Sequence, residues 1–362
     1  MSVLMRRLMV LLFLLGVPAT VVLAESTPSP ALLVLSKQDH SIAIVDPHDL
    51  HVVAKAPVGD DPHEVIASTD GRTAYVSNYG FGQFNTLTEI DMVGQKRVGT
   101  IDLGALRGPH GLDFAGGKLW FTAEAAKSIG SYDTATGKID RIIGTGQNRT
   151  HMVYVFPDSK RIVTTNVNSG TITVLDKTEG AAGGQAGPPP GIPPPQAGAQ
   201  GGPPRRMPGP PGGDWNETVI PVGKGDEGFD VSPDGREAWT ANAWDGTVSV
   251  VDLAALRVTD TIKANVPGAN RLKFTPDGKL ALVSLLGSPE LVVIDTATHA
   301  VIKRLPIGHG AAGILIEPGG KRAFVACTPD SYVAVIDLGT LTMVGKIDAG
   351  GNPDGLAWAV QK

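Results

Sequence analysis

The stretch Ser41-Ile-Ala-Ile-Val-Asp46 is a short apolar segment that ends in aspartate, and it recurs along the whole chain. Six later copies, LTEID, IGSYD, ITVLD, VSVVD, LVVID and VAVID, end at Asp91, Asp133, Asp176, Asp252, Asp295 and Asp337. Successive aspartates are 45, 42, 43, 76, 43 and 42 residues apart. A period of about 40–45 residues is typical of a β-propeller blade, because one four-stranded sheet buries its faces only against neighbouring sheets.

One interval, between Asp176 and Asp252, is longer than its neighbours by 33 residues. The excess coincides with a proline- and glycine-rich tract at about 178–214, which contains Pro188-Pro189-Pro190. Such a composition cannot build a core, so we predict a disordered insert between the third and fourth strands of one blade. It is interpreted either as a tolerated surface insertion or as a docking segment or cell-envelope spacer.

Each repeat contains four apolar segments, and turns such as Pro233-Asp234-Gly235 join the first two. These turn residues accept the positive φ that tight hairpins need. Seven first strands are predicted to begin near Glu64, Gly111, Met152, Gly228, Arg271, Gly313 and Gly355.

The two ends of the chain together supply one blade. ALLVLSKQ, SIAIVD and HVVAKAPVG, within 31–59, are interpreted as second, third and fourth strands, and GLAWAV at 355–360 as the missing first strand. We therefore predict an all-β protein, a seven-bladed β-propeller with four-stranded antiparallel blades. The C-terminal strand closes the ring by pairing with the N-terminal strands, which leaves no open sheet edge.

Residues 1–24 differ in composition from the repeats. Arg6 and Arg7 precede an apolar run from Leu8, and Val22-Leu23-Ala24 form a small-residue cleavage site. This pattern predicts a secretory signal peptide, a short linker at 25–30 and a propeller at 31–362. A membrane anchor fits less well, because the apolar run is short and interrupted. We expect a periplasmic, extracellular or cell-surface protein without a transmembrane anchor after cleavage.

The charge balance argues against a nucleic-acid partner. The chain carries 31 basic and 36 acidic residues, and cleavage after Ala24 would remove two of the arginines and leave 29 basic residues. Such an acidic protein lacks the basic surface that phosphate binding requires. The single cysteine, Cys327, cannot form an internal disulfide and is interpreted as core filler, and a monomer is expected.

One column of polar residues emerges when the seven first strands are aligned on their turns. It comprises His63, His110, His151, Glu227, Asn270, Ala312 and Asp354. Residues one position later include Arg271 and four glycines, and we predict that the missing side chains leave a cavity at one mouth of the central channel. Loops between second and third strands open onto the same mouth and offer Asn78, Tyr79, Glu124, Asn166, Asn242 and Trp244.

Three interpretations of this mouth remain open. His63, His110 and His151 could bind a divalent metal ion, with Glu227 or Asp354 completing the ligand set. Alternatively, His110 or His151 acts as a general base, with Glu227 as orienter and Arg271 holding an anionic substrate group. Finally, propeller channels are wet, so polar lining needs no function. His40, His48, His51 and His299 are expected at the surface, whereas His309 could reach the mouth.

The units PHEVIASTDGRTAYVSNYG, GFDVSPDGREAWTANAWDGTVSVVDL and AGILIEPGGKRAFVACTPDSYVAVIDL resemble repeats of the YVTN family, which are YncE-like seven-bladed propellers of the bacterial periplasm and cell surface. This resemblance implies a binding or scaffold protein. GPHGLDFAGGKLWFTAEAAKSIGSYD is similar to a streptogramin lyase repeat, and lactonase propellers share the architecture. The resemblance to lactonase propellers implies a calcium site of carboxylates and asparagines. Glu227, Asn270 and Asp354 match only part of such a cluster.

Together these features predict a propeller that binds a small molecule, metal ion or protein at the mouth. The expected ligand-binding residues are His63, Tyr79, His110, Glu124, His151, Glu227, Asn270, Arg271 and Asp354. The alternative is a metal-assisted lyase or lactonase at the same place.

Overall fold

A computed structural model describes residues 25–178 and 215–362 of the chain. The predicted signal peptide and nearly all of the predicted insert lie outside these residues. Within the described part, 28 strands form seven four-stranded antiparallel sheets, and the one helical element is a 3₁₀ turn at Gly80–Gly82. No helix of the described residues is long and apolar enough to span a bilayer.

The first three blades follow one another along the chain. Blade 1 consists of β4 (Pro62–Ala67), β5 (Thr73–Asn78), β6 (Thr86–Asp91) and β7 (Lys96–Asp102). Blade 2 consists of β8 (Pro109–Ala115), β9 (Lys118–Ala123), β10 (Ser128–Asp133) and β11 (Lys138–Gly144). Blade 3 consists of β12 (Thr150–Val155), β13 (Arg161–Asn166), β14 (Thr171–Lys177) and β15 (Trp215–Pro221).

The remaining blades repeat this pattern. Blade 4 consists of β16 (Asp226–Val231), β17 (Glu237–Asn242), β18 (Thr247–Asp252) and β19 (Arg257–Ile262). Blade 5 consists of β20 (Ala269–Phe274), β21 (Leu280–Leu285), β22 (Glu290–Asp295) and β23 (Val301–Pro306). Blade 6 consists of β24 (Ala311–Ile316), β25 (Arg322–Cys327), β26 (Tyr332–Asp337) and β27 (Thr342–Ile347).

Blade 7 joins the two ends of the described chain. Its strands are ordered β28 (Pro353–Ala359), β1 (Ala31–Ser36), β2 (Ser41–Val45) and β3 (Val52–Pro57). Leu33 of β1 lies opposite Ala357 of β28 in an antiparallel pair. The first strands contact one another in the order β28, β4, β8, β12, β16, β20, β24 and back to β28. The predicted seven-bladed propeller and its closure are therefore confirmed.

The hydrophobic core is divided into clusters that lie between adjacent blades. One cluster packs Leu33 and Ile44 of blade 7 against Val76 and Ile90 of blade 1, all fully buried. Cys327 is fully buried in the equivalent cluster between blades 5 and 6, as core filler requires. Because each cluster needs both of its blades, the sheets stack into a ring rather than folding alone.

The repeated aspartates serve the turns after the third strands. Asp252 accepts backbone N–H groups of Ala254 and Ala255, at 2.8 Å each, and Asp337 accepts that of Thr340 at 2.7 Å. Asp176, where the insert begins, instead pairs with Arg161 Nε at 2.6 Å. The aspartate of the repeat is thus a turn-forming residue, as its position in the sequence predicts.

The first strands begin two residues earlier than predicted, and each contains a β-bulge at the mouth. In blade 2, Pro109 pairs with Ala123 and Leu112 pairs with Phe121, so His110 and Gly111 lie opposite Thr122 alone. The same shift occurs in all seven blades. A bulge interrupts strict alternation. The predicted polar column therefore lies in the bulges, where its side chains can turn into the mouth.

The glycines beside the column do not open a cavity, which corrects that prediction. A Cβ at Gly228 would lie 2.4 Å from Asn270 O and from Arg271 Cα, and one at Gly313 would lie 2.2 Å from Asp354 O. Glycine is needed here because the backbone of the next first strand comes too close for any side chain. These residues set the tight ring around which the mouth is built.

Candidate functional site

The mouth of the channel contains a cavity of about 440 Å³. Its lining comes from six of the seven blades, all except blade 2, and from the loop before β12. The lining residues include Lys37, His63, Tyr79, Arg149, His151, Glu227, Asn270, Ala312, Thr328 and Asp354. This volume is typical of small-molecule sites.

Three histidine rings from consecutive blades meet at this mouth. The ring centroids of His63 and His110 are 4.3 Å apart, and those of His110 and His151 are 3.8 Å apart. The ring centroid of Tyr79 lies 5.0 Å from those of both His63 and His110. The predicted convergence of the three histidines is therefore found in the structure.

His110 is the central ring, and its side chain makes no hydrogen bond to any residue in 25–178 or 215–362. It is 0% exposed, and neither Nδ1 nor Nε2 makes a hydrogen bond. Burial, and then the nearby charges of His151, Arg271 and Arg149, hold the pKa of His110 well below the usual range, so the ring is neutral. Two buried nitrogens without partners are unusual in a folded protein, because each leaves a desolvation cost of about 1–3 kcal/mol uncompensated.

His151 lies between two carboxylates. Its Nδ1 contacts Glu124 Oε1 at 2.5 Å, and its Nε2 lies 2.8 Å from Glu227 Oε2. Burial lowers the pKa of His151, but the charges of Glu227 and Glu124 outweigh burial and raise it. The two carboxylates therefore favour the cationic form of His151.

Arg149 and Tyr79 complete this group. Arg149 Nη1 donates to Glu227 Oε1 at 2.8 Å, and its Nε lies 3.4 Å from Glu124 Oε1. The Tyr79 hydroxyl donates to the other oxygen of Glu124. Although burial opposes ionisation, His151 and Arg149 lower the pKa of Glu227 to about 2. Both carboxylates are therefore ionised.

His63 belongs to a separate group beside this one. Its Nδ1 accepts a hydrogen bond from Lys37 Nζ at 2.5 Å, and Lys37 also pairs with Asp61 at 2.8 Å and Asp354 at 3.3 Å. Burial and the Lys37 charge lower the pKa of His63 to about 3. His63 is thus a neutral acceptor whose Nδ1 is already engaged.

Arg271 does not line the cavity but crosses the channel. The residue is 4% exposed, and Nη2 pairs with Glu64, which blade 1 supplies from the far side of the ring. Its Nη1 lies 3.2 Å from both oxygens of Asn270. Arg271 and Glu64 each follow a column residue, so their ion pair crosses the channel one residue deeper than the histidines.

The predicted metal set is therefore only partly assembled. One ligand atom each of His110, Glu124 and His151 lies within 4.8 Å of the others, and all three residues are buried. His63, Glu227 and Asp354 do not join this group. Glu124 enters it from the loop after β9, a loop position that the sequence assigned to the mouth without a metal role.

Lys37, Asp61 and Arg149 were not identified from the sequence. For Asp61 and Arg149, a position that repeats in all seven blades could have indicated the site. The residue two positions before each column residue has positive φ: Asp61, Gly108, Arg149, Gly225, Gly268, Gly310 and Asn352. Four blades place glycine there, as this conformation favours. Arg149, at φ +60°, keeps a non-glycine side chain at a position where glycine is the usual choice.

Several other candidates have structural roles or lie elsewhere. Asn78, Asn166 and Asn242 donate to hydroxyl groups of the following third strand. His40, His51 and His299 pair with aspartates at the surface, and His309, 71% exposed, binds Asp330 outside the cavity. A second group, Asp46, Asp49 and His51, is partly exposed and uses Asp46 and Asp49 to accept backbone N–H groups.

A second cavity, a groove of about 400 Å³, lies between the turns of blades 4 and 5. Its aspartates, Asp234 and Asp277, accept hydrogen bonds within their own turns from Ser232 and Thr275. The groove therefore contains no polar group that lacks a partner, and the mouth remains the candidate site.

The chain matches no protein-family model and no curated protein sequence. Solved structures share its fold. A protein of unknown function from Desulfotomaculum acetoxidans superposes with a TM-score of 0.69 at 13% identity, over 92% of this chain and 99% of that protein. A candidate 6-phosphogluconolactonase from Bacteroides fragilis gives 0.68 at 17% identity, over 92% and 99%. Hydrazine synthase from Kuenenia stuttgartiensis gives 0.64 at 17%, over 89% and 99%. At such identities the likeness establishes a β-propeller and no more.

Proposed function

We propose that this protein binds a divalent transition-metal ion at His110, Glu124 and His151, and that the occupied mouth binds a small molecule. The observation that carries the proposal is His110, a neutral and fully buried imidazole whose two nitrogens lack partners. Purely structural lining would leave that cost uncompensated, whereas a metal ion would satisfy one nitrogen.

The donor set fits such an ion chemically. Two imidazole nitrogens and one carboxylate oxygen are ligands that Zn²⁺ and its neighbours accept, and three protein ligands leave a position open for water or another molecule. Glu227 and Arg149 would surround this set, as outer partners that orient the ligands.

The charge of the mouth supports the same proposal. Asp61, Glu64, Glu124, Glu227 and Asp354 provide five carboxylates, against the three cations Lys37, Arg149 and Arg271. With neutral histidines, the excess of two negative charges matches one divalent cation. A bound ion would therefore complete the local charge balance.

A metal-assisted lyase or lactonase is the second candidate, because an open metal position would face the cavity and a candidate lactonase shares the fold. General bases work best with a pKa near the working pH. Of the two candidate bases, His110 has a pKa well below its usual range because it is buried, and His151 is engaged on both sides by Glu124 and Glu227. Binding is therefore the better-supported function.

The location and family of the protein form part of this proposal. The composition of residues 1–24 supports secretion to the periplasm or cell surface, and the repeat units support membership of the YVTN-type propellers. A protein partner at the mouth remains an alternative ligand.

The test is a titration of chelator-treated protein with zinc, measured by calorimetry. We expect one equivalent of Zn²⁺ per chain, and a loss of affinity of about tenfold or more in His110→Ala, Glu124→Gln and His151→Ala. His63→Ala should change the affinity much less, because its Nδ1 is bound to Lys37. Equal zinc affinity in all four variants would contradict the assignment.

A further inference from the structure

Two exposed apolar side chains form the outer edge of the same cavity. Phe81, in the loop between β5 and β6, is 82% exposed, and Leu286, in the loop between β21 and β22, is 51% exposed. Both line the cavity, and they come from blades on opposite sides of the ring. Apolar side chains placed around a polar centre are typical of a ligand site rather than of ordinary surface.

Phe81 is held in this place by a strained backbone. It has φ +51°, between Gly80 at +55° and Gly82 at +83°, a conformation that bulky residues rarely adopt. The loop is fixed on both sides, since Gly80 N donates to Asp61 Oδ2 at 2.9 Å and Arg107 Nη2 donates to Gln83 O at 3.0 Å. The fold thus spends conformational energy to keep an aromatic ring exposed beside the site.

The charged groups of the mouth differ in exposure. The side chains of Glu124 and Asp354 are 6% and 8% exposed, whereas those of Arg149 and Lys37 are 31% and 20% exposed. Arg149 and Lys37 are thus each more exposed than the carboxylates they pair with, although Glu227 and Asp354 also line the cavity. A molecule that enters beside Arg149 meets an exposed cation that can pair with an anionic group.

We propose that the mouth selects a small molecule with an anionic end and a ring-sized apolar body. The anionic end takes the open position on the metal ion beside Arg149, and Phe81 and Leu286 contact the apolar body. This inference rests on the proposed metal site for the anionic end, but the apolar contacts depend only on the two rim residues. Phe81 and Leu286 are thus specificity-determining residues.

Acetate and phenylacetate are suitable probes, since they share the carboxylate and differ by one ring. Their binding to cobalt-loaded protein is measured by calorimetry and from the visible spectrum of the cobalt ion. We expect phenylacetate to bind about tenfold more tightly than acetate. In Phe81→Ala and Leu286→Ala this preference should fall to about threefold or less, with acetate affinity unchanged. Trp244→Ala is the control, because Trp244 is an exposed aromatic residue outside the cavity.

Three results would overturn the inference: equal affinity for the two probes, a preference that survives both rim substitutions, or a preference lost equally in Trp244→Ala. The cobalt spectrum separates this inference from the proposed function. Cobalt binding without any response to either anion would contradict the inference and leave the metal site intact. Failure to bind cobalt, with a Phe81-dependent preference for phenylacetate in chelator, would contradict the metal site and support the apolar contacts.

Discussion

The missing hydrogen bonds of His110 are what distinguish a binding site from polar lining of the channel. The ring is buried between His63 and His151, and its nitrogens make no hydrogen bond. Its neighbours behave differently, because His63 binds Lys37 and His151 binds Glu124. A structural histidine would be expected to resemble its neighbours, so the unsatisfied ring is the one that indicates a missing ligand.

Replacement of His110 by leucine, which has a similar volume, tests this difference. Without metal, the variant should be as stable as the parent or more stable, by up to about 1–3 kcal/mol, because two unsatisfied polar atoms disappear. Added Zn²⁺ should raise the unfolding midpoint of the parent but not of the variant. The measurement is thermal unfolding with chelator and with excess zinc.

His151→Leu is the matched control, since it removes a ring whose nitrogen contacts Glu124 and leaves buried charges behind. It should lose about 3 kcal/mol in chelator. A comparable loss in His110→Leu would mean that His110 has partners in solution and would contradict the account.

Much of the site at residue scale could be predicted from the sequence. His63, His110 and His151 could be aligned on their turns because each blade repeats the same spacing. Lys37 and Arg149 were missed because the repeat position of a loop residue does not fix where its side chain points. The spacing of residues in the sequence does not encode the directions of their side chains. It therefore could not show that Glu124, and not Glu227, joins His110 and His151.

At the scale of the element, the β-bulge explains why strand alternation predicts the column residues but not the role of the glycines beside them. Alternation along the strand correctly grouped the column residues, but it implied that the neighbouring glycines leave open space. In the structure, two residues of each first strand lie opposite one residue of the second, so alternation fails at the mouth. A bulge adds a residue without changing composition, and sequence patterns therefore do not reveal it.

The bulge of blade 2 is supported by one buried hydroxyl group, which gives an element-scale prediction. Thr122 Oγ1 accepts from Gly111 N at 2.9 Å and donates to His151 O at 2.6 Å, which joins blades 2 and 3. Thr122→Val should lower the free energy of unfolding by about 2–4 kcal/mol, because both backbone groups lose their partner. Thr122→Ser keeps the hydroxyl and should lose about 1 kcal/mol. Urea unfolding measures both, and equal losses would contradict this role.

At the scale of the whole molecule, the ring is closed by the two ends of the described chain. This closure could be predicted because the N-terminal segments lacked a first strand and the C-terminal segment had no other partner. The spacing of the aspartates predicted the number of blades in the same way. Fold and ring follow from local periodicity, whereas the mouth depends on loops from every blade.

The insert offers a prediction at the same scale. Lys177 and Trp215 are paired across β14 and β15, so the ends of the segment between them are already adjacent. Replacement of residues 179–214 by a short glycine-containing turn should preserve the fold, with a gain of about 1–2 kcal/mol from the shorter loop. Thermal unfolding of both proteins measures this. A replacement that fails to fold, when a Gly/Ser linker of the original length does fold, would show that loop length is required.

The central claim is that His110, Glu124 and His151 hold a metal ion at the mouth. Anomalous diffraction at the zinc absorption edge, from crystals of the zinc-treated protein, tests it most directly. We expect one strong peak at the mouth, about 2.0–2.2 Å from a nitrogen of each histidine and from an oxygen of Glu124. A mouth without anomalous density, or a peak only at Asp46, Asp49 and His51, would contradict it.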